Sequence, residues 1–126
     1  MLNRIYDEHL SQAGLKVGQF SILRAISKSG ETTNKELQSM LAMDQTTLTR
    51  NLKPLTRDGF IVANPGEDRR QRILTLSVQG QAVYRDAKVY WQQAQHQVYQ
   101  HLGPEYCQLL LELSQAIVNL NKKHSP

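Results

Sequence analysis

The side chains with the clearest chemical purpose lie between Asp44 and Phe60, DQTTLTRNLKPLTRDGF. At roughly 100° per residue, Thr46, Arg50, Lys53 and Arg57 share one face of a helix, with Gln45, Thr47 and Thr49 beside it. This stripe holds cations, short hydroxyls and an amide but no carboxylate, so it suits an acidic partner. Cations of this kind supply salt-sensitive affinity for phosphates, and hydroxyls and amides discriminate base edges. A second cationic group, Arg69, Arg70 and Arg72, follows within one turn-forming stretch.

Net charge alone does not decide the matter. The 126 residues carry 15 Lys and Arg against 11 Asp and Glu, and residues 44–80 hold six against four. That stretch is only slightly richer, so any nucleic-acid argument rests on where the charges point. Other chemistries lack their signatures. There is no Gly-rich phosphate loop and no G-x-S-x-G elbow, so the chain is not expected to be an enzyme or to carry a cofactor. His96 and His101 are five apart and do not share a helix face, so no metal site is expected. A single cysteine, Cys107, excludes a disulfide within the chain; flanked by Leu109 and Leu110 without an adjacent Lys or Arg, it reads as an inert buried thiol. The N-terminus MLNRIYDEHL lacks a signal-peptide core and no apolar run reaches membrane-spanning length, which points to a cytoplasmic protein with no membrane partner.

The elements that position these groups follow from periodicity. Leu48, Leu52 and Leu55 line the inner face of the 45–57 helix, Asp44 is placed to cap it and Gly59 to end it. Pro54 removes one hydrogen bond inside that helix and predicts a bend or compensating packing. Upstream, Thr33 and Glu36 have capping-box spacing, so a helix from Asn34 buries Leu37, Met40 and Leu41, and a turn at Ala42 and Met43 joins the two. From these residues alone the pair reads equally as a helix-turn-helix or as an ordinary amphipathic hairpin. Ile61–Ala63 and Ile73–Leu76 then read as strands around the turn-formers Asn64 to Asp68, a β-hairpin whose arginine-rich tip suits a narrow minor groove. Its alternative is a solvated charged turn.

Helices flank this unit. Leu2, Ile5, Tyr6 and Leu10 mark a short first helix, and Phe20, Leu23 and Ile26 a second that stops at Gly30. Ser77 caps a long helix to about Leu102 with Ala82, Val83, Ala87, Tyr90, Trp91, Ala94 and Val98 at helical spacing. After Gly103-Pro104, a last helix with Leu109, Leu110, Leu111, Leu113, Ile117, Val118 and Leu120 has more apolar surface than one contact uses, which implies burial against a second subunit.

Three stretches, GLKVGQFSILRAI, NKELQSMLAMDQTTLTRNLKPLTRDGFI and EDRRQRILTLSVQG, resemble the MarR family of bacterial transcriptional regulators. The likeness is close over residues 14–80 and extends to the long C-terminal helices by length and placement. It implies a mainly α fold with a small β-hairpin wing: one domain over 1–126, a winged helix-turn-helix DNA-binding lobe at 14–80, and a helical dimerisation region at 1–13 and 81–126. It further implies a homodimer on a palindromic operator in double-stranded DNA, acting in the family's manner as a repressor released by a small aromatic or acidic effector. Carried over residue by residue, it puts Gln45, Thr46, Thr47, Thr49 and Arg50 towards bases or phosphates and Lys53 towards phosphate. Asp68 would brace the wing, Arg70 reach the minor groove, and Arg69 and Arg72 meet phosphates. Tyr6, His9, Phe20 and Trp91 are chemically suited to an effector, with packing the favoured reading. Two departures stand out: only 13 residues precede Gly14, short for the family's first helix, and Ala42 occupies a turn position often held by glycine. The competing reading is a winged-helix module that binds a protein and no DNA.

Overall fold

The computed structural model describes residues 2–68, 70–105, 108–109, 111–113 and 115–116; Arg69, Cys107, Leu110, Ile117, Val118 and Leu120, singled out above, lie outside them. The elements run α1 (Leu2–Leu10), a 3-10 turn (Ser11–Ala13), α2 (Val17–Ser29), α3 (Asn34–Leu41), α4 (Gln45–Arg57), β1 (Ile61–Pro65), β2 (Arg72–Leu76) and α5 (Val78–Leu102). The described positions within 104–116 are also helical. This is a mainly α chain with a β-hairpin, as its periodicities predict.

Side-chain oxygens fix where the central helices begin. Thr33, Asp44 and Ser77 each accept a hydrogen bond from the backbone N–H three residues on, at Glu36, Thr47 and Gly80. The capping box at Thr33 closes on only one side. Glu36 turns its carboxylate to the Thr32 hydroxyl, which donates over 2.9 Å. Helix α2 starts differently: Asp7, on α1, accepts from the Val17 N–H at 2.9 Å, and Gln19 accepts from the Lys16 N–H at 3.0 Å. A carboxylate from a sequence-distant helix thereby satisfies one of the donors a helix start leaves open.

The core sits where α2 crosses α4, the hairpin and α5. Phe20, Ile22, Leu23 and Ile26 of α2 are buried with Leu37, Leu48, Leu55, Ile61, Leu74 and Ala87. Two expectations need correction. Met40 is half exposed, because it lies about 80° around α3 from the line midway between buried Leu37 and half-buried Leu41. Ala82 is likewise exposed, on the outer side of α5 from Ala87. Helix α4 runs unbroken through Pro54, which is half-buried against the start of α2, so packing offsets the lost bond.

The strands pair antiparallel with Ile61 opposite Leu76 and Pro65 opposite Arg72. A single residue completes the sheet: Thr32 exchanges both backbone hydrogen bonds with Leu74, at 3.1 and 2.7 Å. The bridge ties the loop before α3 to β2, and the Thr32 side chain is buried and satisfied by Glu36. At the other end of the hairpin, Ser77 donates to the Gly59 carbonyl through its hydroxyl and to the Phe60 carbonyl through its backbone N–H. Gly80, in the first turn of α5, packs directly on the Phe60 carbonyl, leaving no room for a side chain.

Candidate nucleic-acid interface

Helix α4 owes its orientation to its leucines. Burial of Leu48 and Leu55 turns Gln45, Thr46, Thr49, Arg50 and Lys53 outward, where they are exposed and line one shallow groove of about 480 Å³. At its start the Asp44 carboxylate accepts from the Thr47 N–H at 2.7 Å. That backbone bond, then the Thr47 hydroxyl, and less strongly the charge of Arg50, hold the Asp44 carboxyl below its ordinary range. Thr47 stands apart from the rest of the stripe. It is half-buried, its carbonyl accepts from the Asn51 amide at 3.0 Å, and it faces the cleft between α4 and the start of α2.

Arg57 also leaves the stripe, because its Nε lies 3.2 Å from the Asp58 carboxylate. Among the described residues the only other ion pair joins Arg4 and Glu8. None of Arg50, Lys53, Arg70 and Arg72 forms an ion pair among the described residues, and of these only Arg50 also lies near enough to a carboxylate, that of Asp44, to act on it.

The tip of the hairpin is shaped by Asp68. Its carboxylate accepts from the Arg70 N–H at 3.1 Å and its carbonyl from the Gln71 N–H at 2.9 Å, while Gly66 donates to the Gln71 carbonyl. The side chain of Asp68 is thus engaged by the turn and pairs with no guanidinium among the described residues, and Arg70 and Arg72 are exposed beside it. Helix α4 passes into β1 with only Asp58 to Phe60 between them, and Phe60 donates back to the Leu55 carbonyl. The cationic helix face and the arginine-bearing hairpin are consequently consecutive parts of one packed unit.

Sequence reasoning missed the cleft beside this face. Lys16, Gly18 and Gln19 at the start of α2 face Thr47, Arg50 and Asn51 across about 600 Å³. Gly18 permits the approach, since a Cβ there would come within 2.8 Å of the Asn51 amide. A glycine near a helix start was the sole signal in the sequence.

The residues suited to an effector pack together. Phe20 is buried and stacks on Tyr84 and Trp91 with ring centroids 5.6 and 5.7 Å apart, and Tyr6 lies 6.4 Å from Trp91. The Arg24 guanidinium sits over Trp91, 4.6 Å from the ring centre. His9 Nε2 and Gln97 Oε1 lie 2.7 Å apart, at hydrogen-bond distance. The other ring nitrogen, His9 Nδ1, is buried with no partner among the described residues. Among the described residues no helix is long and apolar enough to cross a membrane, and no group of three metal-ligating side chains comes together.

Comparison with known proteins agrees with this geometry. The MarR family model matches residues 15–71, from the start of α2 through the hairpin tip. The HTH-type transcriptional regulator YwoH of Bacillus subtilis is 31% identical over 83 residues, covering 66% of this chain and 61% of that protein. The matched stretch thus spans about three fifths of that curated relative's length. The M. tuberculosis transcriptional regulator MosR, solved in complex with DNA, is 33% identical, with a TM-score of 0.75 over 94% of this chain and 89% of that one. A mutant MarR from E. coli complexed with operator DNA has a TM-score of 0.80 at 24% identity, over 92% of this chain and 84% of that one, a likeness of fold. With the capped helix pair, the asparate-braced hairpin and the matched stretch all falling on the same residues, this chain belongs to the MarR family.

Proposed function

We propose that the chain is a transcriptional regulator that binds double-stranded DNA and acts by binding, not catalysis. The observation that carries this reading is the exposed, carboxylate-free face of α4, with Arg50 and Lys53 there and Arg70 and Arg72 on the adjoining hairpin all outside any ion pair among the described residues. The likeness to MosR, solved with DNA, supports it. In this reading Gln45, Thr46, Thr49 and Arg50 meet base edges or phosphates in the major groove, with Thr47 at the margin and Lys53 on phosphate. Asp68 braces the wing, Arg70 enters the minor groove, and Arg69 and Arg72 neutralise phosphates. Residues 14–80 form the DNA-binding lobe, and 1–13 with 81–126 the region through which two copies associate on a palindromic site in the cytoplasm. Support for the dimer comes from Leu109, Leu111 and Leu113, each more than half exposed in the single chain. Repression, relieved by a small-molecule effector, completes the proposal.

The test is retention of genomic fragments by the purified chain at two salt concentrations. Selective retention of a few fragments is expected, and Arg70→Ala should weaken it with a salt slope shallower by about one unit if a phosphate contact is lost. Thr49→Ala should change which fragments are kept. No retention at low salt would replace this reading with a protein-binding module.

A further inference from the structure

Burial of Leu48 and Leu55 fixes which face of α4 turns outward, but apolar packing has no direction of its own and leaves the exact rotation of the helix open. A polar contact on the flank closes that freedom. Thr47, Asn51 and Pro54, at i, i+4 and i+7, line the cleft that α4 shares with the start of α2. Asn51 is half-buried there, and its amide folds back along its own helix to donate to the Thr47 carbonyl at 3.0 Å. Held in this way, the amide lies against Gly18 of α2. A Cβ at position 18 would stand 2.8 Å from the amide nitrogen and 2.9 Å from the amide carbon and oxygen. Ordinary contact begins at 3.4 Å, so the amide is roughly 0.6 Å too near for a methyl group to fit. The backbone supplies no other reason for a glycine here. Gly18 is helical and not among the residues of positive φ, and at such a position alanine is favoured over glycine.

The α2 wall of this joint is held in place. Asp7 accepts from the Val17 N–H, Gln19 accepts from the Lys16 N–H, and Phe20 is buried immediately after them. On the α4 wall, Arg50 is the neighbour of Asn51 and lines both this cleft and the outward groove of α4. Any shift of the Asn51 flank therefore moves a cation of the outward stripe with it. We propose that Gly18 and Asn51 are a matched pair of positioning residues: the notch at Gly18 receives the Asn51 amide and so sets the rotation at which α4 presents Gln45, Thr46, Thr49 and Arg50 to DNA. Neither residue touches DNA in this role. The inference rests on the regulator reading and adds to it what determines helix presentation. A displacement of roughly 0.6 Å matters because hydrogen bonds to bases and phosphates span only about 2.7–3.2 Å.

A double-mutant cycle on the full chain tests the pairing. The probe is a labelled genomic fragment retained by the wild type in the salt experiment, and both the dissociation constant and the active fraction are measured. A variant that merely folds poorly loses active fraction and keeps its dissociation constant. Gly18→Ala is expected to weaken binding by about tenfold, as loss of one well-placed hydrogen bond to DNA implies. In the Asn51→Ala background, where the amide is gone, the same step is expected to cost less than about twofold. If Gly18→Ala alone does not fold, the outcome is read on Gly18→Ala/Asn51→Ala, which must bind within about twofold of Asn51→Ala. The pairing is overturned if Gly18→Ala leaves the dissociation constant unchanged, if only the active fraction falls, or if the step costs as much without the amide as with it. Retention of no fragment by the wild type would remove the regulator reading and the pairing together. Wild-type binding that Gly18→Ala does not disturb would remove the pairing alone.

Discussion

Replacing Ala42 by glycine should stabilise the protein, although it removes atoms and adds no contact. Ala42, in the turn between α3 and α4, is the sole described non-glycine residue with positive φ, at φ 52° and ψ 38°. The left-handed region costs an L-residue about 1–2 kcal/mol, because Cβ crowds the following carbonyl. Glycine escapes that cost but loses about 0.4–1 kcal/mol through the larger entropy of its unfolded chain. Ala42 is exposed, so loss of its methyl forfeits little burial. The balance is a gain of roughly 0.5–1 kcal/mol, a rise in Tm of about 2–4 °C for a domain of this length. Urea unfolding measures the change, with an unaltered m-value showing that the folded state is the same. Gly59→Ala is the reverse operation: φ is +79° and a Cβ would meet nothing within 4 Å, so only backbone strain is added. It should destabilise by a similar amount. If both substitutions shift stability in the same direction, left-handed strain is not what governs these turns.

Other perturbations probe the remaining joints. Gly80→Ala drives a Cβ into the Phe60 carbonyl, and since the obstacle is backbone it cannot rotate away; a loss of about 3 kcal/mol, at the upper end for overpacking, should appear in denaturant unfolding. For Asp44, the folded chain holds the carboxyl below its ordinary value of 3.8, so on acidification the unfolded chain takes up the proton first. The cap's contribution is therefore complete above that value and disappears as pH falls through the lower folded-state value. Asp44→Ala should be less stable than wild type at neutral pH, and the gap in unfolding midpoints should close in strong acid; a gap independent of pH would show that the carboxylate charge is irrelevant to the cap.

Much of this arrangement could be read from sequence because its causes are local. Asp44, Thr33 and Ser77 cap the helices they immediately precede, and Leu48 and Leu55 orient α4 by spacing alone. What escaped notice depends on residues far apart in the chain. The Thr32 bridge to Leu74 is one residue long and so has no periodicity to detect. Asp7 serves a helix that starts ten residues later. Arg57 is equivalent to Arg50 on a helical projection, but only Arg57 comes within ion-pair distance of a carboxylate, that of the next residue Asp58. Thr47 fell on the flank of the outward face, and the nearness of α2, made possible by Gly18, turned that flank into the wall of a cleft.

The seam where Ser77 and Gly80 meet Gly59 and Phe60 makes the hairpin an extension of α5. Three hydrogen bonds from Ser77 and the Gly80 backbone contact tie the hairpin's root to the start of α5, so a tilt of that helix would turn the hairpin with it. The strands project about 17 Å from that root at their five-residue length. A tilt of about 5° would carry the arginine end through roughly 1.5 Å, half a hydrogen-bond length. On the DNA-binding reading proposed above, a small adjustment along the 25-residue helix would change how closely the far point of the hairpin meets its groove.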